Sequence, residues 1–431
     1  RVNASFKLLD DWLEVRPAVD YRQAARNNHF PNFQQAMRNN PTRSPYDPES
    51  ETGYNVWNNE SLDYNVVADV MLEDFYGLDK WFKPEVNLKL NIKPIPGLNY
   101  QQVIGYENRQ WEEHKYWPST HREEIDNSRK GHGYLHFEKT ENLTSEGYFS
   151  YIKDLKGGHN LNATAGYSYF QVNGEKFNMD NYNFSVDGIK YWDMGQGSYL
   201  SDGKAGMSSN KSVTQRLFSL FARANYSYQD KYMLSASIRH EGSSKFAADN
   251  RWANFWSATA GWRISNEEFM KDFTWLDDLK VRFGYGVTGN NDFEATYMAN
   301  MLGSDTNWML PNGTWAYSYG KTQNVNPNLG WEEKKEWNLG VDYSFFNGRL
   351  YGKFDYYRRK VDNLLYEVKV PQPPYTQGTQ MQNIGSMESK GWEFEVGGDI
   401  IRTKDFSWSS NINLSHNKGK ILTLEGDNSY H

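Results

Sequence analysis

The chain has 431 residues, a net charge of −7, 38 % hydrophobic residues and a mean hydropathy of −0.85. No stretch approaches the roughly 18 consecutive apolar residues of a membrane-spanning helix, so a helical membrane protein is excluded. Basic residues are scattered, with Arg358–Lys360 as the longest run, which argues against nucleic acid as a partner. There is no cysteine, which excludes disulfides and thiolate metal sites.

The N-terminal part predicts strands separated by polar segments. Val2–Leu8 and Trp12–Gln23 are predicted strands around a turn at Asp10-Asp11. The Asn- and Pro-rich segment Ala24–Leu62 is predicted to be a loop with a short helix in FQQAMRNNP, and Tyr64–Tyr76 is ambiguous. Four more strands are predicted before residue 170: Phe82–Ile92, Leu98–Asn108, Gly133–Ile152 and Leu161–Tyr169. Two segments are predicted to be loops: Trp111–Lys130, because it is charged, and Gln171–Ser212.

The clearest pattern in the chain lies in Leu217–Ile264. Every second residue from Phe218 to Tyr228 is apolar or aromatic, and the residues between them are mostly polar. After a turn at Gln229–Lys231 the alternation resumes with Leu234, Ala236 and Ile238. A period of two over two runs predicts an antiparallel hairpin. Each run has about 9–12 residues, the length of a tilted strand that crosses a bilayer.

The C-terminal half repeats this alternation. The apolar faces of the predicted strands carry Trp256–Ile264, Val281–Val287, Trp337–Phe345, Leu350–Tyr356, Trp392–Ile400 and Trp408–Leu414. Asn347-Gly348 is a strong hairpin turn signal. Asn266–Asp278 is predicted to contain a helical turn, and Gly289–Glu332 is predicted to be a large loop.

About fourteen strands are therefore predicted, joined alternately by short turns and long loops. Short turns at one end and long loops at the other are typical of bacterial outer-membrane barrels, whose turns are periplasmic and whose loops are extracellular. The predicted fold class is all-β, a transmembrane antiparallel up-and-down β-barrel. An arc that ends on a spanning strand would leave unpaired backbone groups facing lipid. Either the strands close on themselves or the natural chain continues beyond His431, and continuation is favoured. Since the sequence has no starting Met and no signal peptide, we expect a mature or partial chain.

The central third of the chain resembles the SusC/RagA family of TonB-dependent outer-membrane transporters from Bacteroidetes-type bacteria. The resemblance is specific from about Gly158 to Lys420 and looser before. It rests on motifs in the right order: Asn225–Tyr232, Leu234–Arg239, Gly242–Phe246, Asn250–Trp252, Ala260–Ser265, Trp275–Lys280, Tyr285–Asn291, Asn326–Trp331, Asn383–Gly385 and Lys390–Glu393, with Pro94–Gly97 and Gly158–Leu161 upstream.

The resemblance implies a function in nutrient uptake at the outer membrane. Residues 1–431 would form the middle part of a 22-stranded barrel, with the plug domain and the C-terminal strands absent from this sequence. The family imports oligosaccharides or oligopeptides, with a SusD-like surface lipoprotein as lid and the TonB–ExbB–ExbD system pulling on the plug. The barrel would supply a wall and binding loops, so we expect no enzymatic activity and no cofactor.

Three motifs suggest chemistry, and each has a simpler interpretation. Gly284–Gly289 matches GxGxxG, but a loop follows instead of the helix that a dinucleotide site needs. His132 and His136 share a strand face with Glu138 beside them, which fits polar lumen residues as well as metal ligands. The acidic pairs, which neighbour each other on strands or loops and so rarely cooperate as glycosidase acids, are Glu112-Glu113, Glu123-Glu124 and Asp277-Asp278.

The candidate contact residues lie in two places. Aromatic rings in the long late loop could stack on sugar faces or peptide groups, or contact the lipoprotein: they are Trp308, Trp315, Tyr317 and Tyr319. The second group is Arg239, Arg251 and Trp252. For this group a structural role is preferred, with the two arginines bonded to loop carbonyls or carboxylates.

Two other functions remain open on the sequence. A passive porin or a surface adhesin would share the barrel but lack the plug and the energy coupling. A soluble all-β glycan-active protein would need a convergent carboxylate pair and would be soluble without detergent.

Overall fold

The computed structural model describes residues 1–27, 30–55, 64–298 and 302–424, with the side chains of 304–307 excepted. A single 16-stranded antiparallel sheet dominates the fold. Fourteen of its strands follow one another across the sheet in near-sequential order, and β2 and β8 pair with β3 and β7 beside this path. The sheet is open within the described residues, with β1 and β2 at one edge and β20 at the other. No helix in this part of the chain has the length and hydrophobicity to cross a membrane.

The strands of the sheet are β1 (Val2–Asn3), β2 (Phe6–Leu8), β3 (Leu13–Arg26), β4 (Asp74–Asn91), β5 (Leu98–Trp117), β6 (His132–Leu155), β7 (His159–Tyr182), β8 (Gly206–Lys211), β9 (Gln215–Tyr228), β10 (Tyr232–Ser243), β11 (Trp252–Arg263), β12 (Leu276–Asn290), β15 (Glu332–Phe345), β16 (Leu350–Asp362), β19 (Ser386–Arg402) and β20 (Ser407–Thr423). Two separate hairpins lie in the loops: β13 (Leu302–Met309) with β14 (Trp315–Lys321), and β17 (Leu365–Lys369) with β18 (Thr379–Asn383). The short helices are α1 (Phe33–Arg38), α2 (Val66–Leu72) and α3 (Arg122–Asp126).

The sheet separates the side chains as the period of two predicts. In the β9–β10–β11 register, Ala224 lies opposite Ala236, which lies opposite Ala258, so the three share one face. Large exposed apolar residues lie on this same face, including Leu220, Ile238 and Trp256. The other face is polar: Arg239 is bonded to Ser168 (3.0 Å), and Ser237 to Ser257 (2.7 Å). The apolar face is therefore the lipid-facing outside and the polar face is the lumen.

The predicted sorting of connections holds except around β11, where the loop 244–251 is shorter than the periplasmic segment 264–275. Short turns join β9 to β10 at 229–231 and β15 to β16 at 346–349, and long loops join strands at the opposite end. The predicted helix in the 24–62 loop is α1, where the Asn32 side chain accepts a hydrogen bond from the Gln35 amide. Residues 28–29 and 56–62 of that predicted loop lie outside the described residues, as do 299–301 of the 289–332 loop. The ambiguous Tyr64–Tyr76 contains α2 and the beginning of β4.

Several predicted boundaries were wrong in the same direction. Trp111–Lys130 was expected to be a loop, but β5 continues to Trp117 and α3 follows. Gln171–Ser212 was also expected to be a loop, but β7 extends to Tyr182 and β8 pairs with its end. Strands β6 and β7 have 24 residues each, about twice the length that crosses a bilayer. Their upper halves rise beyond the membrane, where both faces can be polar and the alternation disappears.

Aromatic residues line the short-turn end of the outer face, as an interfacial girdle requires. Tyr228 stacks on His159 with ring centroids 4.5 Å apart. The segment after β11, which contains the predicted helical turn as two 3₁₀ turns, brings Glu267 to this girdle. Its carboxylate accepts hydrogen bonds from the Tyr232 hydroxyl (2.6 Å) and the Trp262 Nε1–H (3.0 Å). These bonds fasten the periplasmic segment to the rim of the sheet.

The assignment of faces predicts very different effects for arginine at adjacent positions of β10. Ala236→Arg places a charge in the middle of the lipid-facing surface and should cost ~2–4 kcal/mol. Ser237→Arg faces the lumen and should cost much less. Urea unfolding of the two variants of the intact protein in lipid micelles measures the difference. Equal destabilisation would contradict the assignment.

The Glu267 cluster predicts a dependence of stability on pH. The hydrogen bond from Tyr232, followed by that from Trp262, holds the pKa of Glu267 below its usual value of 4.5. A lowered pKa stabilises the fold above the unfolded-state value, and this contribution is lost as the pH falls through the lowered value. Between about pH 6 and pH 3, the melting temperature should therefore fall further in the wild type than in Glu267→Gln.

Asp272→Asn is the matched control for that experiment. It lies in the same segment, and no hydrogen bond to its carboxylate is found in the described part of the chain. Its pH profile should follow the wild type. Identical profiles for wild type and Glu267→Gln would show that the cluster does not stabilise the segment.

Candidate ligand-binding site

The motif residues of the late half converge in one packed cluster at the extracellular end, which we call the loop core. Its buried members come from four separate segments: Phe246, Phe255, Val287, Phe293, Leu329, Trp331 and Met381. Leu329 is completely buried, and the Phe246 and Trp331 ring centroids lie 4.7 Å apart. Apolar burial of this extent fixes the loops relative to one another.

Hydrogen bonds lock the same loops together. The Asn383 side chain bonds both the amide and the carbonyl of Gly330 (2.7 and 2.8 Å). The Trp331 indole donates to the Arg251 carbonyl (2.9 Å). Lys245 donates to the Asn291 carbonyl (3.2 Å), and burial lowers the pKa of its ammonium group. The motifs thus build a scaffold for the extracellular loops.

The predicted aromatic group of the late loop lies on the β13–β14 hairpin. Trp315, Tyr317 and Tyr319 are alternate residues of β14 and share one face, where each ring is 65–72 % exposed. Trp308 lies opposite Ala316 in the hairpin register, so it occupies the other face. The structure therefore brings three of the four predicted rings together and separates the fourth.

The second predicted group is not brought together. Arg239 lies on the lumen face and bonds Glu241 (3.0 Å). Arg251 donates to the Phe246 carbonyl (3.3 Å) inside the loop core. Trp252 lies on the outer face, stacked on His240 with centroids 4.8 Å apart. Both arginines have the carboxylate or carbonyl partner that a structural role predicts.

A site on the lumen wall was missed on the sequence. Along β5, alternate residues facing the lumen combine charge and aromatic rings: Arg109, Trp111, Glu113, Lys115 and Trp117. Arg109 and Arg22 both bond the buried Asp79 carboxylate (3.1 Å each). The sequence does contain a signal for this site, since every second residue from Arg109 to Trp117 is charged or aromatic.

Higher on the same wall, rings form a stack. His132 lies between Trp117 (4.5 Å between centroids) and Tyr182 (4.1 Å), and its Nε2 contacts Asp180 (2.9 Å). Lys115 lies within 6 Å of three aromatic ring centroids on this face, those of Phe75 (5.6 Å), Trp117 (5.9 Å) and Tyr134 (5.5 Å). Such a wall can stack on flat ligand groups and pair with charges of either sign.

The motifs that suggested chemistry have structural roles. Gly284–Gly289 lies within β12, and a Cβ at Gly289 would meet Phe255 Cζ at 2.1 Å, so glycine is needed for packing. Asp277 accepts from the Gly348 amide (2.8 Å), whereas Asp278 accepts from Ser265 (3.0 Å).

In the two other acidic pairs, the neighbouring carboxylates likewise have different surroundings. Glu112 bonds Lys80 (2.8 Å) and Glu113 accepts from Trp111 (3.2 Å). Glu124 is fully buried and accepts a hydrogen bond from Arg129 (2.7 Å), whereas the side chain of Glu123 is 51 % exposed. No group of three His, Asp or Glu side chains in the described ranges could hold a metal ion.

Comparison with known proteins gives the family. Residues 6–429 match the family "TonB dependent receptor-like, beta-barrel". The TonB-dependent receptor P39 of Formosa agariphila is 31 % identical over 79 % of this chain and 32 % of that protein. The TonB-dependent receptor SusC of Bacteroides thetaiotaomicron is 35 % identical over 66 % of this chain and 28 % of that protein. The chain thus spans about a third of the length of these relatives.

Solved structures agree on the fold. The RagAB peptide transporter superposes with a TM-score of 0.81 at 20 % identity, over 98 % of this chain and 46 % of that chain. The ferripyoverdine receptor of Pseudomonas aeruginosa superposes with a TM-score of 0.54 at 12 % identity, over 98 % of this chain and 49 % of that chain. The chain belongs to the TonB-dependent receptor β-barrel family and is of the SusC/RagA type. Its fold is that of an outer-membrane β-barrel, as predicted.

The loop core predicts cooperative opening of distant loops. Leu329→Ala removes a fully buried side chain and should cost ~2–5 kcal/mol. Hydrogen–deuterium exchange should rise together in 244–251, 291–298, 325–331 and 378–383. Trp315→Ala on the exposed hairpin is the control and should leave these segments protected. A rise confined to 325–331 would contradict a shared core.

Proposed function

We propose that this chain is the middle arc of a larger barrel in a TonB-dependent importer. Both edges of the described sheet have an unpaired side, which fits further strands of the 22-stranded barrel that the family resemblance implies. A plug inside the barrel would couple uptake to TonB–ExbB–ExbD. The chain's own contribution is a wall and a loop scaffold, with no enzymatic step.

The observation that carries the proposal is the combination of a rigid loop core with two ligand-suited surfaces. The β13–β14 hairpin of the extracellular loops exposes three rings, and the lumen wall of β5 carries both rings and charges. A solute held at the loops would meet this wall on entering the barrel. Aromatic faces bind sugar rings and peptide groups, and charges of both signs bind peptide termini and side chains.

The proposed substrates are accordingly oligopeptides or oligosaccharides. SusC and the RagAB peptide transporter, to which this chain is similar, support this range. A SusD-like surface lipoprotein is the proposed lid. The exposed hairpin face of Trp315, Tyr317 and Tyr319 is the proposed contact for ligand or lid.

Energised uptake is tested in cells that carry or lack the intact protein. Cells are supplied with a protein digest or with mixed oligosaccharides, and depletion of each component is followed by mass spectrometry. We expect depletion of one class that depends on the protein and stops when a protonophore is added. Depletion that persists with the protonophore would instead indicate a passive porin.

The hairpin face predicts a difference between variants. Each ring contact contributes ~0.5–1.5 kcal/mol, so replacing Trp315, Tyr317 and Tyr319 with alanine should reduce uptake roughly tenfold or more. Trp308→Ala, on the opposite face, is the matched control and should have little effect. Equal losses would show that the two faces do not differ in function.

A further inference from the structure

The outer face of β15, β16, β19 and β20 changes character in successive rows of paired residues. The register places Val341, Phe354, Phe394 and Leu414 in one apolar row. The next row toward the loops is Leu339, Tyr356, Trp392 and His416, which has the composition of an interfacial belt. Two residues rise ~7 Å along a strand, or ~5 Å along the bilayer normal at the usual strand tilt, so each residue of the row above lies closer to the lipid headgroups than its neighbour in this belt.

The row above the aromatic belt is cationic on β16, β19 and β20. Arg358 lies opposite Lys390, which lies opposite Lys418. One row higher, Lys335 and Lys360 lie opposite each other, and Lys420 lies opposite Glu388. Like charges directly opposite on neighbouring strands are unfavourable unless something compensates them.

Within the described residues, acidic side chains neutralise only part of this positive charge. Glu388 accepts from Arg358 Nε (2.8 Å), and Asp362 contacts both Lys360 (2.8 Å) and Lys335 (3.3 Å). Lys390 and Lys418 are exposed, and neither has an ion pair or hydrogen bond in the part of the chain that the structure describes. Six cations on this face are therefore opposed by three acids, Glu333, Asp362 and Glu388.

The outer face of β4 to β7, near the other edge of the sheet, provides a comparison. There, Lys80 and Lys139 lie in one outward row with Gln110 and Glu175. Lys80 is paired with Glu112 (2.8 Å) and Lys139 with Glu175 (2.9 Å). Each lysine of this row thus has an acidic partner, whereas Lys390 and Lys418 have none within the described residues.

We propose that this cationic row binds the phosphate group of an outer-leaflet glycolipid. The apolar rows would contact its acyl chains, the aromatic row its glycerol or sugar region, and Arg358, Lys390 and Lys418 its phosphate. The inference depends only on the membrane orientation of the barrel. Its failure would leave the proposed transport untouched.

The test is native mass spectrometry of the intact protein in micelles titrated with phosphorylated lipid A or with dephosphorylated lipid A. Wild type should bind the phosphorylated form about tenfold or more tightly than the variant R358Q/K390Q/K418Q. Binding of the dephosphorylated form should be weak and equal in the two proteins. Free inorganic phosphate at millimolar concentration should not displace the lipid; displacement would indicate a general anion site and overturn the proposal.

Two further variants keep the outcome interpretable. R358K/K390R/K418R preserves the charges and should retain binding, and K80Q/K139Q removes paired lysines and should also retain it. Heat-modifiable mobility checks that each variant is folded. Loss of binding in K80Q/K139Q, or undiminished binding in folded R358Q/K390Q/K418Q, would overturn the proposal.

Discussion

The requirement that every backbone N–H and C=O in a bilayer be bonded within the protein governs this structure. Neighbouring strands satisfy it through continuous antiparallel registers, such as the one that runs unbroken from Tyr232↔Tyr228 to Ser243↔Leu217. Because the register is fixed, each row of paired side chains lies on one face, and its depth shifts evenly from strand to strand with the strand tilt. Lipid contact, interfacial rings and lumen polarity then follow from the residue at each position. The cationic row of Arg358, Lys390 and Lys418 is one consequence of this fixed register.

Above the membrane the constraint is relaxed and the structure is stabilised differently. Strands β6 and β7 continue as a wall beyond the bilayer, and loops fold back onto it. One such cluster contains Tyr116, Phe184 and Tyr191, with the Tyr116 hydroxyl donating to Asp187 (2.8 Å). The loop core around Leu329 is the second. These clusters hold loops that carry exposed rings, which is the arrangement a binding surface needs.

The spanning strands were predicted well from the sequence because one face of each strand contacts lipid and the other the polar lumen, which imposes a strict alternation on their residues. Phe218–Tyr228 and Trp256–Trp262 are correct for this reason. The same logic failed at Trp111–Trp117 and Gln171–Tyr182, where water bathes both faces and charged residues occupy either one. The pairing of β13 with β14 could not be predicted, since the alternation of Trp315, Tyr317 and Tyr319 along β14 has no counterpart in β13 that would fix the register. The separation of Trp308 from Trp315 depends on that pairing.

The candidate site, too, could be predicted only in part. Motif residues such as Phe246 and Trp331 were recognisable, but their convergence into one core depends on contacts between distant segments, such as those of the Phe246 ring with Phe293 and Trp331. Arg239, Arg251 and Trp252 are close in sequence yet lie in the lumen, in the loop core and on the outer face. Proximity along the chain therefore says little about a shared site on strands, where adjacent residues face opposite ways.

The most direct test of the account is the accessibility of single cysteines along β9 and β10. These 431 residues contain no cysteine, so nitroxide labels can be attached at 222–225 and 235–238 without background from them. We predict that oxygen, which partitions into lipid, reaches labels at 222, 224, 236 and 238. A water-soluble nickel complex should reach labels at 223, 225, 235 and 237. Loss of this alternation, or its inversion, would contradict the assignment of lipid and lumen faces on which the account depends.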